Sequence, residues 1–315
     1  MASVREMRSH IKTIENIGQM TRALQAVSAS CVKQGVMLAQ ESRPYSDLAW
    51  KVMLDLFHCT NSDPKSFPMF ADHEKLDGVI IVFISADRGL AGSFTVNVFH
   101  KVLELEKELK GTSVKYITVG RRGRDMLLRR NKEVLADFSD METDKIKSEE
   151  IGSLTKVIID EFKKGTIDRV YMVYTEYENV SHYFPEVKLL LPMSQAYKEY
   201  IQEHPVQEDN AIKEYIYEGD PVELIESLIP RIISRIVYHA ILSSKASENT
   251  ARMIAMSHAS ENAEELNKKL KLEYNKVRQQ MITSDILDII GGSQAQTGEA
   301  DSLIDQSEHI IQEEE

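Results

Sequence analysis

From Asp220 to Gly291 the chain contains no glycine, and through that stretch apolar residues return at helical spacing. Leu224, Ile225, Leu228, Ile229, Ile232, Ile233, Ile236, Val237, Ala240 and Ile241 come in pairs, and Ala255, Ala259, Ala263, Leu266, Leu270, Val277 and Met281 continue the pattern. Asp220-Pro221-Val222-Glu223 is a start signal, with an acid to cap the helix, proline at its first position and glutamate at its third. At 1.5 Å per residue, about 68 helical residues would reach ~100 Å, far more than one domain's diameter. Pro230 predicts a bend and not a stop, because the apolar pattern continues in phase beyond it. A helix this long needs a second helix to cover it.

The N-terminal segment supplies a candidate. Ile17, Met20, Leu24, Val27, Cys31, Gln34 and Leu38 are spaced alternately three and four, which predicts a heptad seam with one polar position. Ala23, Ala26, Ser28, Ala29 and Ser30 would let a partner approach closely, while Gly18 costs about 1 kcal/mol in a helix interior and needs compensation from packing. Pro44 predicts a kink or an end near Ser42, and Leu48, Val52, Met53, Leu56 and Phe57 resume the helical pattern.

Between the helices the period changes. Val79–Ser85, Val114–Val119, Val134–Phe138, Val170–Tyr177 and Val187–Leu191 read as strands, and Ser93–Lys110, Gly120–Arg130 and Ser148–Lys164 as helices. Their alternation predicts a parallel or mixed sheet, most simply doubly wound. The fold expected is therefore α/β plus long helices: an antiparallel coiled coil of the N- and C-terminal helices with a central Rossmann-like α/β domain. The expected divisions are a helix over 1–60, a linker over 61–77, the α/β domain over 78–195, a connecting segment over 196–219, the second long helix over 220–292, and a disordered acidic tail over 293–315.

The net charge of −12 argues against general nucleic-acid binding, yet it is unevenly spread. Residues 1–43 carry +3 and 245–280 carry +2, whereas 299–315 hold seven acids and no Lys or Arg. Cys31 and Cys59 are too few for a disulfide framework or metal cluster, so a reducing compartment is expected. The longest apolar run, Val79–Ile84, is too short to span a bilayer, which needs ~20 residues, and no signal peptide is visible. A membrane role would have to run through partners.

Sites of chemistry are sparse. The turn Asp87-Arg88-Gly89-Leu90-Ala91-Gly92 follows the first strand, where open α/β sheets bind ligands, but it lacks the GxGxxG pattern and the lysine and hydroxyl of a phosphate loop. It reads as a structural turn or docking surface. The histidines show no metal-ligand spacing, no nucleophile elbow is present, and no metal or cofactor is expected. Glu264-Glu265 reads as a solvated helix face, and so does the cluster Arg121, Arg122, Arg124, Arg129 and Arg130. Residues 247–263 differ in kind, with alanines and methionines at helical spacing beside one Arg and several amides. Two slim, basic helices suggest an axle passing through a narrow acidic opening. A nucleotide-dependent enzyme with helical arms and a free-standing coiled-coil adaptor remain alternatives on these residues alone.

Three blocks carry a resemblance: Met7-Arg8-Ser9-His10-Ile11 through Met20-Thr21-Arg22-Ala23-Leu24-Gln25-Ala26-Val27-Ser28-Ala29-Ser30; Ser85 through Phe94; and Ser247–Ala263 with Tyr274–Gln279 and Ile282–Gly292. In this order and at these distances, they make the chain resemble the gamma subunit of F-type ATP synthase over residues 4–293. The resemblance implies a non-catalytic central-stalk rotor of a proton-translocating complex. In this family the paired helices turn inside a hexamer of alpha and beta subunits, the α/β domain stands against the epsilon subunit and membrane c ring, and ATP is made or hydrolysed on beta. It also implies an influence on ATPase regulation, one copy per complex, and a peripheral place on the cytoplasmic face of a bacterial membrane or an equivalent energy-coupling membrane.

Carried over by position, Arg278 and Gln279 fall on the polar contact with a beta-subunit loop, and Leu24, where the family usually has Met, faces the beta subunit's acidic lever. Ile286, Leu287, Ile289 and Ile290 fall on the apolar tip in the hexamer's bearing. Tyr215, Tyr217, Glu218, Asp220 and Pro221 match the foot near epsilon and the c ring. Cys31 replaces a family lysine and Ala91 a family cysteine, and thiol switching is not expected. The tail 294–315 extends past the family's usual end, and its charges imply that it emerges into solvent.

Overall fold

The computed structural model describes residues 4–60, 67–71, 77–141, 148–194, 198, 202 and 220–312. Two long helices, α1 (Val4–Thr60) and α5 (Pro221–Gln312), flank in sequence a sheet of β1 (Gly78–Ile84), β2 (Ser113–Val119), β3 (Val134–Asp137), β4 (Arg169–Asn179) and β5 (His182–Leu191). Helices α2 (Phe94–Glu108), α3 (Arg121–Leu128) and α4 (Ser148–Lys163) connect the strands. The chain divides into two compact units, one of residues 1–23 with 257–315 and one of residues 24–256, and each long helix contributes a segment to both.

In the larger unit the strand order is β3-β2-β1-β4-β5. The first four strands run parallel, and β5 turns back antiparallel beside β4 through Val180-Ser181. β1 is buried along its whole length, as its continuous apolar sequence requires for a central strand covered on both faces. Val79, Ile81 and Phe83 pack with Val98, Phe99 and Val102 of α2 on one face. Ile80, Val82 and Ile84 pack on the other with Leu154 and Ile158 of α4 and with Ile225, Ile229, Ile232, Ile233 and Val237 of α5. Each such aliphatic side chain contributes about 1.5–3 kcal/mol by leaving water, so the first half of α5 is as much a layer of the α/β domain as a helix of its own.

The start of α5 has its cap: the Asp220 carboxylate accepts the Val222 N–H at 3.0 Å, and Pro221 occupies the first helical position, where its missing N–H costs nothing. Pro230 lies inside the helix, flanked by buried Ile229 and Ile232.

Three sequence expectations need correction. First, of the two outcomes expected at Pro44 the end near Ser42 does not occur: α1 runs through Pro44 to Thr60, in keeping with the helix expected over 1–60. Proline removes one backbone hydrogen bond, but Met53 and Leu56 beyond it are buried in the sheet's core, and that burial holds the chain in helical phase. Second, the covered face of α1 is not the predicted seam. Thr21, Ser28 and Val32 are buried, whereas Ile17, Met20 and Val27 are 43%, 65% and 60% exposed. The true seam lies one residue round the helix and is built from small side chains. Third, α5 does not stop at 292 but continues to Gln312. Gly291-Gly292 costs about 2 kcal/mol against alanine, and the following Gln, Ala, Glu and Leu residues favour helix enough to carry it on.

Candidate functional site

The close approach of α1 and α5 follows from the small seam. In the smaller unit, a methyl group on Gly18 would lie 3.6 Å from the Ala263 Cβ. Arg22 donates through Nε to Ser260 Oγ at 3.2 Å and pairs with Glu264 at 3.1 Å, and Glu15 accepts from Asn267 at 3.2 Å and pairs with Lys271 at 2.8 Å. Lys271 and Asn267 together hold the Glu15 carboxyl below its usual range. Numbers rise on one helix as they fall on the other, so the helices are antiparallel. In the larger unit Gly35 meets Ala246 in the same way, again at 3.6 Å.

This pairing determines where α5 is left bare. Val4, where α1 begins, lies eleven residues before Glu15, and Arg278 lies eleven residues after Asn267. From Arg278 to Ser293 every residue is exposed. Arg278 and Gln279 therefore stand next to each other on an uncovered helix surface. Ile286, Leu287, Ile289 and Ile290, 51%, 62%, 71% and 50% exposed, follow within three turns. An apolar group of that size in water marks a contact surface. Leu24 is half-buried and belongs to the other unit, at the edge of the outward stripe that includes Met20 and Val27. Asp220 is exposed and caps α5, whereas Tyr215, Tyr217 and Glu218 lie outside the described residues.

The turn after β1 is closed down by protein groups. Gly120, at φ +99°, and Gly123 let α3 press on the end of β1: a Cβ on Gly120 would sit 2.3 Å from the Ser85 carbonyl, and one on Gly123 2.5 Å from Ser85 Oγ. The Arg122 N–H donates to the Ala86 carbonyl and the Gly123 N–H to Ser85 Oγ, so these two amides at the start of α3 already have acceptors. The α3 arginines are largely engaged locally, Arg121 with Asp140, Arg124 with Asp125 and Asp137, and Arg130 over the Phe99 ring. Burial works against ionisation of Asp137, but hydrogen bonds from Ser139, Thr118 and Arg124 outweigh it and lower its pKa.

Two buried polar groups were not visible in the sequence. Glu248 is 2% exposed on α5, paired with Lys245 at 3.4 Å and with Arg252, and Arg252 also donates to Asn249 at 2.7 Å and to the Gly89 carbonyl at 3.4 Å. Glu176, at the far end of β4, has its pKa raised, chiefly by burial, against the opposing pull of hydrogen bonds with Tyr174 and Ser243. Ser243 also accepts the Tyr177 N–H at 2.7 Å. The only sequence signal for either would have been an acid at a position that the helical or strand period turns inward.

Among the described residues no group of His, Cys, Asp or Glu could hold a metal, and no helix is long and apolar enough to cross a membrane. A family model described as ATP synthase matches residues 3–296. The ATP synthase gamma chain of Dehalococcoides mccartyi strain BAV1 is 35% identical over 295 residues, covering 94% of this chain and 99% of that protein. The gamma chain of Stenotrophomonas maltophilia strain R551-3 is 35% identical over 297 residues, covering 94% and 100%. Among solved structures, a chain of the Euglena gracilis mitochondrial ATP synthase, OSCP/F1/c-ring, superposes with a TM-score of 0.61 at 17% identity, covering 93% of this chain and 94% of that one. A chain of the Tetrahymena thermophila mitochondrial ATP synthase central stalk and c-ring superposes with a TM-score of 0.56 at 20% identity, covering 76% and 99%. With two long antiparallel helices, a mixed α/β sheet between them in the chain, and a family match over residues 3–296, the chain belongs to the ATP synthase gamma family.

Proposed function

We propose that the chain is the central-stalk rotor of an F-type ATP synthase, non-catalytic itself, which couples ion flow through a membrane ring to ATP synthesis or hydrolysis on beta subunits and influences the regulation of that activity. The observation that carries this reading is the bare end of α5, where Ile286, Leu287, Ile289 and Ile290 lie in water beyond the reach of α1. Exposed apolar side chains of this kind gain by burial against a partner, and a sleeve contacting them on all sides permits rotation because no single directional bond holds the helix. Arg278 and Gln279, about two to three turns earlier, are exposed polar groups suited to gripping a beta-subunit loop once per turn, with Leu24 and the outward stripe of α1 pressing on the beta lever.

In this reading alpha and beta subunits form the sleeve, one copy of the chain serves each complex, and the foot, including Asp220 and the segment with Tyr215, Tyr217 and Glu218, stands against epsilon and the c ring. The chain is then peripheral to the cytoplasmic face of a bacterial membrane or an equivalent energy-coupling membrane, held there by its partners. The solved neighbours, described as F1/c-ring and central-stalk/c-ring assemblies, support this partner set. Purification of the native protein with its companions is the test. Alpha and beta ATPase subunits in equal number to each other, and in threefold excess over this chain, are expected, and a stable complex without them overturns the reading.

A further inference from the structure

In a doubly wound sheet the crevice beyond the carboxyl ends of the strands, where the order reverses, is the usual place for a ligand. Here the order reverses between β1 and β4, and the turn leaving β1 is docked on α5 instead. Ala251 of α5 belongs to the same buried cluster as Ala86, Ala91 and Val173, and a Cβ on Gly92 would lie 3.9 Å from that of Ala255. The polar part of the contact is Arg252. Its side chain is 11% exposed, and its guanidinium meets Glu248, Asn249 and the Gly89 carbonyl at once. Glu248, 3% exposed at its side chain, is thereby neutralised and holds the guanidinium in a single orientation.

We propose that Arg252 is a positioning residue that locks the Asp87–Gly92 turn to α5, so that the edge of the α/β domain beyond the apolar layer at Ile225–Ile241 moves with the helix as one body. The inference rests on the rotor reading, in which any slack at this joint is lost motion between ring and hexamer. The physical reason for an arginine is its planar fork: one head serves a carboxylate, an amide oxygen and a backbone carbonyl on two different elements, which lysine's single ammonium cannot do in a fixed geometry. Lys245 remains beside Glu248 when Arg252 is replaced, so the buried carboxylate keeps a partner.

The test uses the complete complex in sealed vesicles, reading ATP hydrolysis and ions moved per ATP. Arg252→Gln should assemble and hydrolyse ATP while ions moved per ATP fall about two- to tenfold. If that variant does not assemble, Arg252→Lys keeps the charge against Glu248 and tests the same contact. The second arm places Gly92→Cys and Ala255→Cys in a Cys31→Ser, Cys59→Ser background, since 3.9 Å between Cβ positions lies within the range a disulfide spans, ~3.5–4.5 Å; Gly92 has φ +56°, so the reduced double-cysteine protein with Arg252 intact is the reference and must couple as the unmodified complex does. Oxidation should restore coupling to the Arg252 variant and reduction should remove it again. Unchanged coupling in the variant, or a loss that the oxidised cross-link does not restore, overturns the lock. If the unmodified complex hydrolyses no ATP or moves no ions, it is the rotor reading that fails.

Discussion

Gly18 of α1 faces Ala263 of α5 so closely that a methyl group added to Gly18 would stand 3.6 Å from the alanine's Cβ, an ordinary contact with nothing to spare for a larger side chain. The pair packs through smallness. Gly18→Ala should therefore stabilise the chain by up to about 1 kcal/mol, from the better helix propensity of alanine, whereas Gly18→Leu should prise the helices apart. Chemical denaturation of the two variants would show opposite shifts in midpoint, and a stabilising Gly18→Leu would refute the seam.

Ser28 tests the same seam in the other unit. It is 3% exposed, and Ser28→Leu should cost about 1–3 kcal/mol through overpacking. Val27→Leu, beside it but 60% exposed, should change stability by less than about 0.5 kcal/mol. If the heptad of Ile17, Met20, Leu24 and Val27 were the covered face, the order of these two effects would reverse.

The exposed apolar end of α5 separates folding from function. Ile286→Ser with Ile289→Ser should leave the helix content and unfolding midpoint of the isolated chain unchanged, because neither side chain is covered within it. Assembly with alpha and beta subunits, or ATP-driven rotation, should be impaired. Likewise Arg278→Ala with Gln279→Ala should fold normally and lower coupled ATP synthesis. Normal coupling in both double variants would show that these residues face no partner.

Glu176 gives the larger unit a pH dependence of defined sign. Its folded pKa is raised by burial above the ordinary carboxylate value, so between those two values the native state binds more protons than the unfolded chain, and stability falls as pH rises through that window. Glu176→Gln, which is neutral throughout and keeps the amide's hydrogen-bonding capacity for Tyr174 and Ser243, should flatten the slope and raise stability at neutral pH. Urea midpoints measured from pH 4 to pH 8 would show it, and parallel curves for the two proteins would rule it out.

The sheet was legible in advance because β1 is a short, β-branched apolar run bounded by Gly78 and the Asp87–Gly92 turn, too short for a buried helix and suited to a strand covered on both faces. The seam of α1 was not legible. Periodicity locates large apolar residues, and here Ile17, Met20 and Val27 face outward and Leu24, Cys31 and Leu38 are only half-buried, while Thr21 and Ser28 are buried and Gly18 meets Ala263. Pro44 left a kink or an end open for a related reason: local propensity disfavours helix there, but Met53 and Leu56 beyond it are held by the sheet's core. Of the proposed contact surface, Arg278, Gln279 and the isoleucines near 290 could be singled out through family likeness, and the structure leaves them exposed. The Glu248–Arg252–Gly89 contact could not, because it joins residues more than 150 positions apart.

Sequence alone determined that two long helices must exist and that a parallel or mixed sheet lies between them in the chain, since helical and strand periods are local properties repeated over many residues. Only the tertiary structure decided which stripe of α1 is covered, where α5 outlasts its partner, and that Arg252 of α5 reaches the turn after β1. Each of those depends on what stands opposite a side chain, and that is a matter of packing between distant segments that no local period records.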